Sequence, residues 1–502
     1  MMQKLLVEKD GVSTYIFCFI AIESVYGDVC CQCRRGGGGV RVEMLRQLEV
    51  YEPTAVPQKG GLVRTAGAPY WIGAEGAGVE AIYRHFPLVM DPDGSLWRDA
   101  GRYLLGRLDG VAPVSHRTLE SIAGDLAHFR RWLLEEEVDY LSAHRRPRLR
   151  PTYRYCAYLH DQIRESHIQP GTAKRRMSSV QGFYRWLERD GRKFEFPLWI
   201  ENDASLRYSD SRGFLRSKAV KSTDLTRSFR SIKGSAEYGE YIQDGGKLRP
   251  LPKDEQVAVV EALQKIGNTE MLLSFLLALT TGARLQTVFT LRRSNFADEP
   301  RQNAVACRIK VGRGTLVDTK YGKQMVILVP VWLYRKVQVY MRSPRCLSRV
   351  RDAFNNCEPA NNQYLFLTRT GRPYYLAQCD ALASEYRSPP RGNSVTQFIR
   401  QQLTPWLRKE GFGTDVRFHD LRATYGMNLL EASLNERGSD LTNPAGDPEI
   451  FEILMRIRER MGHSSLATTE RYLKYSRRGE YEQGVQVDYE GFLREIAGME
   501  VL

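Results

Sequence analysis

The sequence lacks any apolar run of the roughly 18–20 residues that a helix needs to span a bilayer. Its longest, YIFCFIAI at residues 15–22, is far shorter. Lys9 and Asp10 lie close to that stretch and no small-residue cleavage site follows, so it does not read as a signal peptide either. Cysteine is scarce: nine in all, of which only Cys30, Cys31 and Cys33 cluster. No second Cys or His pair follows them at zinc-ligand spacing. Cys156, Cys307, Cys346, Cys357 and Cys379 are scattered as reduced structural thiols are. No internal repeat is visible. These absences set aside a membrane protein, a disulfide scaffold and a metal centre, and leave a cytoplasmic or nucleoid-associated chain with no cofactor as the expectation.

What the sequence has in excess is positive charge. Lys and Arg outnumber Asp and Glu 73 to 59, a net charge of +14. Such a balance favours a polyanionic partner, nucleic acid before an anionic membrane. The 502 residues are too many for one ordinary core, and a hydrophobic content of 42% excludes wholesale disorder.

Residues 1–43, with the cysteine cluster and RRGGGG at 34–39, are set apart as a disordered arm or as upstream sequence not translated in the cell. Residues 44–115 form an N-terminal extension. From 116 to 195 the pattern is helical: Leu119, Ile122, Leu126, Phe129 and Leu133 recur at helical spacing, and PTYRYCAYLHDQIRE follows the basic segment HRRPRLRP. A further helix is expected with Thr172 as its N-cap, Met177, Val180, Phe183, Tyr184 and Leu187 on its apolar side, and Gly191 as its stop. Lys174, Arg175 and Arg176 stand in its first turns, the wrong end for the helix dipole, so an external anion such as DNA phosphate is the expected counter-partner.

A linker spans 196–247. Between Arg212 and Lys233 it carries seven basic residues, Arg216, Lys218 and Lys221 among them, against the single acid Asp224. Such a linker can follow a phosphate backbone. From 248 to 502 a second domain is expected. TEMLLSFLLALTTGARLQTVFTLRRSNF reads as a buried helix, a break at Gly282 and another helix. AVACRIKVGRG and KQMVILVPV read as strands flanking a turn at DTKYGKQ.

Four places in this second domain hold cationic or imidazole side chains in unusual contexts. Arg284 follows an apolar helix where an apolar residue is expected. His419 and Arg422 are three apart and share a helical face. Lys320 lies on the turn, and His463 and Tyr472 lie in RERMGHSSLATTERYLKYS. Two arginines, two histidines, a lysine and a tyrosine suit attack on a phosphodiester, whose pentacoordinate transition state gains negative charge that guanidinium forks bind bidentately.

The segments TTGARLQTVFTLRRSNF, TKYGKQMVILVP, FHDLRATYGMNLL and MGHSSLATTERYLKYS resemble, in order, the motifs of the tyrosine recombinase (phage integrase) family. The resemblance covers roughly residues 116–480. It implies a mainly α, multidomain chain: a helical (SAM-like) core-binding domain at 116–195, then a mixed α+β catalytic domain with a small antiparallel sheet, the fold of DNA breaking-rejoining enzymes. It implies that Arg284 and Arg422 clamp the scissile phosphate, His419 assists proton transfer at the nucleophile and His463 bonds a phosphate oxygen. Tyr472 would attack phosphorus to give a 3′-phosphotyrosyl enzyme, without metal or ATP. Lys320 would protonate the departing 5′ hydroxyl, with Lys323 as runner-up. The implied partners are double-stranded DNA sites, three further copies of the chain, and accessory DNA-bending proteins.

Two departures from the family pattern stand out. Thr287 takes the place of a usual Glu, and 40 residues separate Arg422 from His463, with NERGSDLTNPAGDPEIFEIL as the insertion. Tyr475 would stand about 300° around a helix from Tyr472, and only Tyr472 matches the family spacing from His463. The expectation is therefore a site-specific recombinase of a mobile element. A type IB topoisomerase or telomere resolvase, and a non-catalytic DNA-binding regulator of the same fold, stand as alternatives.

Overall fold

The computed structural model describes residues 5–9, 12–16, 39–51, 62–63, 70–71, 79–108, 114–209, 215–227, 229, 241–353, 362–380, 383, 385–386, 388–413, 415–437 and 448–476. The cluster Cys30, Cys31 and Cys33 lies outside them, as do residues 438–447 of the insertion and everything after 476. The chain folds as two compact units: Met1–Leu206 with Lys218–Ile232 and Leu382–Ser388, and Arg207–Ser217 with Lys233–Ala381 and Pro389–Leu502. Among the described residues no helix is long and apolar enough to cross a membrane.

The first unit packs helices against a long hairpin. Strand β1 (Arg41–Tyr51) pairs antiparallel with β2 (Val79–Met90), in register from Arg41 opposite Met90 to Val50 opposite Ala81. Helices α1 (Arg98–Gly106), α2 (His116–Glu135), α3 (Pro151–Arg164) and α4 (Pro170–Arg189) follow. The hydroxyl of Ser115 caps α2 by accepting from the Thr118 amide. The periodic residues Leu119, Leu126, Phe129 and Leu133 of α2 are buried with Met177, Val180, Phe183, Tyr184 and Leu187 of α4. Phe86, Val89, Trp97, Tyr103 and Leu104 enter the same core, so part of the sequence read as an N-terminal extension packs with the helices.

Helix α4 starts two residues before the expected Thr172 cap. Pro170 occupies the first helical position, where its fixed φ suits the helix and its missing N–H leaves nothing unsatisfied. Within the linker, strands β3 (Glu201–Ser209) and β4 (Leu215–Thr223) pair as a two-stranded sheet.

The second unit is mainly helical with small sheets. It opens on a minimal hairpin, β5 (Ile242–Gln243) and β6 (Lys247–Leu248), so residues read in the sequence as the end of the linker belong to it. Helices α5 (Lys253–Ile266), α6 (Thr269–Thr281) and α7 (Leu285–Thr290) follow. The expected strand pair is present: β7 (Ala306–Val311) lies antiparallel to β8 (Met325–Pro330), and its alternating burial places Ile309 and Val311 inward. Beyond α8 (Val331–Arg342) and α9 (Pro344–Arg351), α10 (Asp420–Arg437), α11 (Pro448–Met461) and a helix over residues 466–476 close a second cluster. There Ile242 and Leu248 of the minimal hairpin pack among Met427, Leu430, Ile453, Ile457 and Met461.

Candidate active site

Local backbone features fix each side chain of the site. Gly282 ends α6 in the left-handed conformation, φ +65°. A Cβ there would lie 2.5 Å from Cδ1 of Tyr425, so only glycine lets the chain turn and deliver Arg284 at the start of α7. His419 and Arg422 enter at the start of α10. Asp420 between them accepts from the amides of Arg417, at 3.0 Å, and Arg249, at 3.1 Å, which ties the end of the minimal hairpin to this helix start. Gly462, φ +63°, ends α11 and turns His463 inward. On the helix over 466–476, Tyr472 is wholly buried. Gly426 makes room for its ring: a Cβ at Gly426 would stand 2.5 Å from Cε1 of Tyr472.

These side chains meet on a residue that the sequence did not mark. Asp244, in the turn of the minimal hairpin, is buried. Its Oδ2 accepts from Nε of Arg422 at 2.7 Å, Nε2 of His463 at 3.1 Å and the hydroxyl of Tyr472 at 3.2 Å. Its Oδ1 lies 3.6 Å from a terminal nitrogen of Arg284. Arg422, itself buried, also donates to the carbonyls of Gly282 and Met461, each at 2.7 Å. A carboxylate only accepts, so His463 carries its hydrogen on Nε2, and Nδ1 accepts from the hydroxyl of Thr469 at 2.9 Å.

The electrostatics follow from this packing. Burial alone would raise the Asp244 carboxyl, but the His463 hydrogen bond and the Arg422 charge outweigh it and hold the group well below the usual carboxylate range. Burial, joined by the positive charges of Arg422 and Arg284, brings His419 down to about 4. Burial also lowers His463, against the pull of Asp244. The Tyr472 phenol is raised well above its ordinary value by burial and then by the adjacent Asp244 charge.

The two lysines of the turn differ in their surroundings. Lys320 begins a tight turn, Lys320–Gly322, and its Nζ would be 3.2 Å from a Cβ on Gly245, which places it close to the Asp244 turn. Lys323 instead donates to the carbonyl oxygens of Gly462 and His463, at 2.9 and 3.3 Å. Arg284, Lys320, Arg422, His463 and Tyr472 are thus gathered about one turn, and His419 joins them through a hydrogen bond with the Asp244 backbone. Tyr475 is partly buried against the cluster of Ile453 and Ile457. Thr287 is buried within α7. A pocket of about 530 Å³ adjoins His463 and is lined by Arg308, Lys323, Arg456, Arg458 and Arg460, with Glu459 as the one acid.

The chain is similar to solved integrases. A lambda integrase dimer bound to a COC′ core site matches 75% of this chain and 94% of its own at 13% identity, with a TM-score of 0.42. The Tn1549 transposon integrase in complex with circular intermediate DNA matches 74% and 94% at 12% identity, with a TM-score of 0.37. XerA recombinase matches 77% and 98% at 14% identity, with a TM-score of 0.28. No family model and no curated protein sequence matches the chain.

Of the residues expected to touch DNA, Arg175 and Arg176 have partners within the chain. Lys174 is exposed. Arg175 pairs with the buried Asp125 at 2.7 Å and donates to the Ser121 hydroxyl, and Arg176 reaches Nε2 of His128 at 2.8 Å. Arg175, expected to need an external anion, therefore does not: its counterion, Asp125, is internal. Arg216, Lys218 and Lys221 fall on β4, and their side chains lie outside the described residues.

Proposed function

We propose that the protein is a tyrosine-type DNA strand transferase, a site-specific recombinase of a mobile element acting on duplex DNA in the cytoplasm. The observation that carries this reading is the convergence of Arg284, Arg422, His463 and Tyr472 on one anion-binding point. A buried site with two guanidinium groups and an imidazole N–H is suited to the non-bridging oxygens of a phosphodiester. The basic pocket beside His463 supplies further cations for the flanking backbone.

In this reading the Tyr472 oxygen attacks phosphorus and the bond from phosphorus to the 5′ oxygen breaks. His419, neutral at pH 7 because its pKa is held near 4, accepts the phenolic proton. Lys320 gives a proton to the leaving 5′ oxygen. The 3′-phosphotyrosyl bond conserves the energy of the broken one, so a 5′ hydroxyl from a partner strand reverses the step without ATP or metal. Four copies would act on two duplexes, with accessory DNA-bending proteins, and the exposed Lys174 and the basic linker residues Arg216, Lys218 and Lys221 would contact backbone phosphates.

The test uses nicked duplexes carrying the junction sequences that flank the gene. A covalent protein–DNA adduct is expected with the native chain and none with Tyr472→Phe. An adduct that persists in that variant overturns the assignment. Sequence-specific binding without cleavage on any substrate would favour a regulator of the same fold.

A further inference from the structure

Asp244 stands where this reading puts the DNA phosphate. Three donors, from Arg422, His463 and Tyr472, end on a single oxygen of its carboxylate, and Arg284 faces the other. Each of these belongs to the set read as addressing the phosphodiester. The acceptor they share comes from within the chain, 178 residues before Arg422 and 228 before Tyr472.

Two anions cannot occupy one buried point. A phosphate group brought to the same donors would meet a fixed negative charge in a place where little solvent screens it. All three Arg422 nitrogens already have acceptors: Asp244, the Gly282 carbonyl and the Met461 carbonyl. The Tyr472 hydroxyl donates to the carboxylate, so its proton is held by an anion that also disfavours a phenolate beside it. In this arrangement the tyrosine is protonated, buried and without access to an electrophile.

The turn that carries Asp244 is suited to move while Ile242 and Leu248, on either side of it, stay buried. Its ladder has two residue pairs, Gln243 opposite Lys247 and Ile242 opposite Leu248. The carboxylate is followed by Gly245, φ +75°, and Gly246, which adopt other backbone conformations at low steric cost. A Cβ at Gly246 would meet nothing within 4 Å, so the turn has free space beside it.

We propose that Asp244 is an internal phosphate mimic: it fills the phosphate-binding point in the DNA-free protein, keeps Tyr472 inactive, and withdraws when a scissile phosphate takes its place. The proposal rests on the recombinase reading for its biological sense but makes a claim about anion binding that needs no DNA.

The experiment compares the full-length native chain with Asp244→Asn and Asp244→Ala. Thermal melting is followed in inorganic phosphate up to 50 mM, against chloride at equal ionic strength. Phosphate is expected to leave the native melting temperature within 1 °C of its chloride value, and to raise that of Asp244→Ala saturably by several degrees. Asp244→Asn keeps the shape of the side chain, folds with least disturbance and carries the comparison if the alanine variant does not fold. On nicked duplex at limiting DNA, Asp244→Asn is expected to form the tyrosyl adduct about tenfold faster than the native chain. The idea is overturned if no variant that folds gains phosphate-dependent stability. It is equally overturned if Asp244→Asn melts normally yet forms adduct more slowly, which would make Asp244 a positioning residue for Arg422 and His463. Absence of adduct from every form, the native chain included, together with phosphate binding by the variants, would reject the recombinase reading and leave the internal mimic standing as an anion-site plug.

Discussion

The hydroxyl of Tyr472 and Nε2 of His463 both point at one oxygen of Asp244, with the two rings 5.7 Å apart. The same oxygen binds Arg422, so any change to one member reaches the others through a shared acceptor.

Tyr472→Phe removes one hydrogen bond and nothing from the packing. Its stability is expected to fall by only about 1 kcal/mol, while adduct formation on nicked DNA is lost. Tyr475→Phe, changed on a residue that is only partly buried against the same apolar cluster, is expected to retain the adduct. Denaturing gels of the two variants side by side check this.

Arg422→Ala leaves the Asp244 charge buried with its main partner gone, and is expected to cost about 3–5 kcal/mol. Arg284, 22% exposed and 3.6 Å from the carboxylate, is expected to cost within about 1 kcal/mol when changed to alanine. Urea midpoints measured for both variants decide the order, and equal losses would contradict the geometry.

Gly426→Ala puts a methyl group against the Tyr472 ring and, at 2.8 Å, the Met461 sulfur. Overpacking of this kind costs about 1–3 kcal/mol. Because Tyr472 itself must shift, adduct formation is expected to drop by more than the stability loss explains, as single-turnover cleavage at a temperature well below melting would show.

The histidines set a pH dependence whose sign follows from proton uptake. His419 titrates near 4 in the folded protein and near 6.5 when unfolded, so the unfolded chain binds more protons between these values. Stability is therefore expected to fall as pH drops from about 6.5 toward 4, by at most about 1.4 kcal/mol per pH unit for each such histidine. Asp244, held far below its unfolded value, adds a loss that begins only as pH falls below about 4. Urea midpoints at pH 7, 6 and 5 should show a shallower slope in His419→Asn; an unchanged slope would reject the assignment.

Lys320 and Lys323 are separated by their neighbours. Lys320→Ala is expected to slow cleavage about 10²–10⁴-fold, the range of a general acid. A bridging 5′-thio leaving group, which needs no proton, should restore the rate. Lys323→Ala removes two contacts to the Gly462 and His463 carbonyls, and its defect should not respond to the thio substrate.

Much of this was legible in the sequence because the signals are local. The strands at 306–311 and 325–330 alternate in burial, and α6 ends where Gly282 ends it. The six side chains about the turn could be singled out from short motifs. Asp244 could not: it sits in YIQDGGKLRP, which composition assigns to a basic linker, and its partners come from remote parts of the chain. The start of α4 is not legible from cap type alone: Thr172 is a good cap, but Pro170 offers a better first residue. The helix dipole alone points Arg175 to an external anion, and its actual counterion, Asp125, comes from another helix where no local rule reaches.

The minimal hairpin also sets a limit on dissection of the protein. Ile242 and Leu248 fill the same apolar cluster as Met461 and Tyr472, and Asp244 neutralises a guanidinium that is otherwise enclosed. A fragment that starts at the first long helix of this unit, Lys253, would carry Arg422 as an uncompensated interior charge. The shortest C-terminal piece able to fold stably must therefore begin upstream of Ile242.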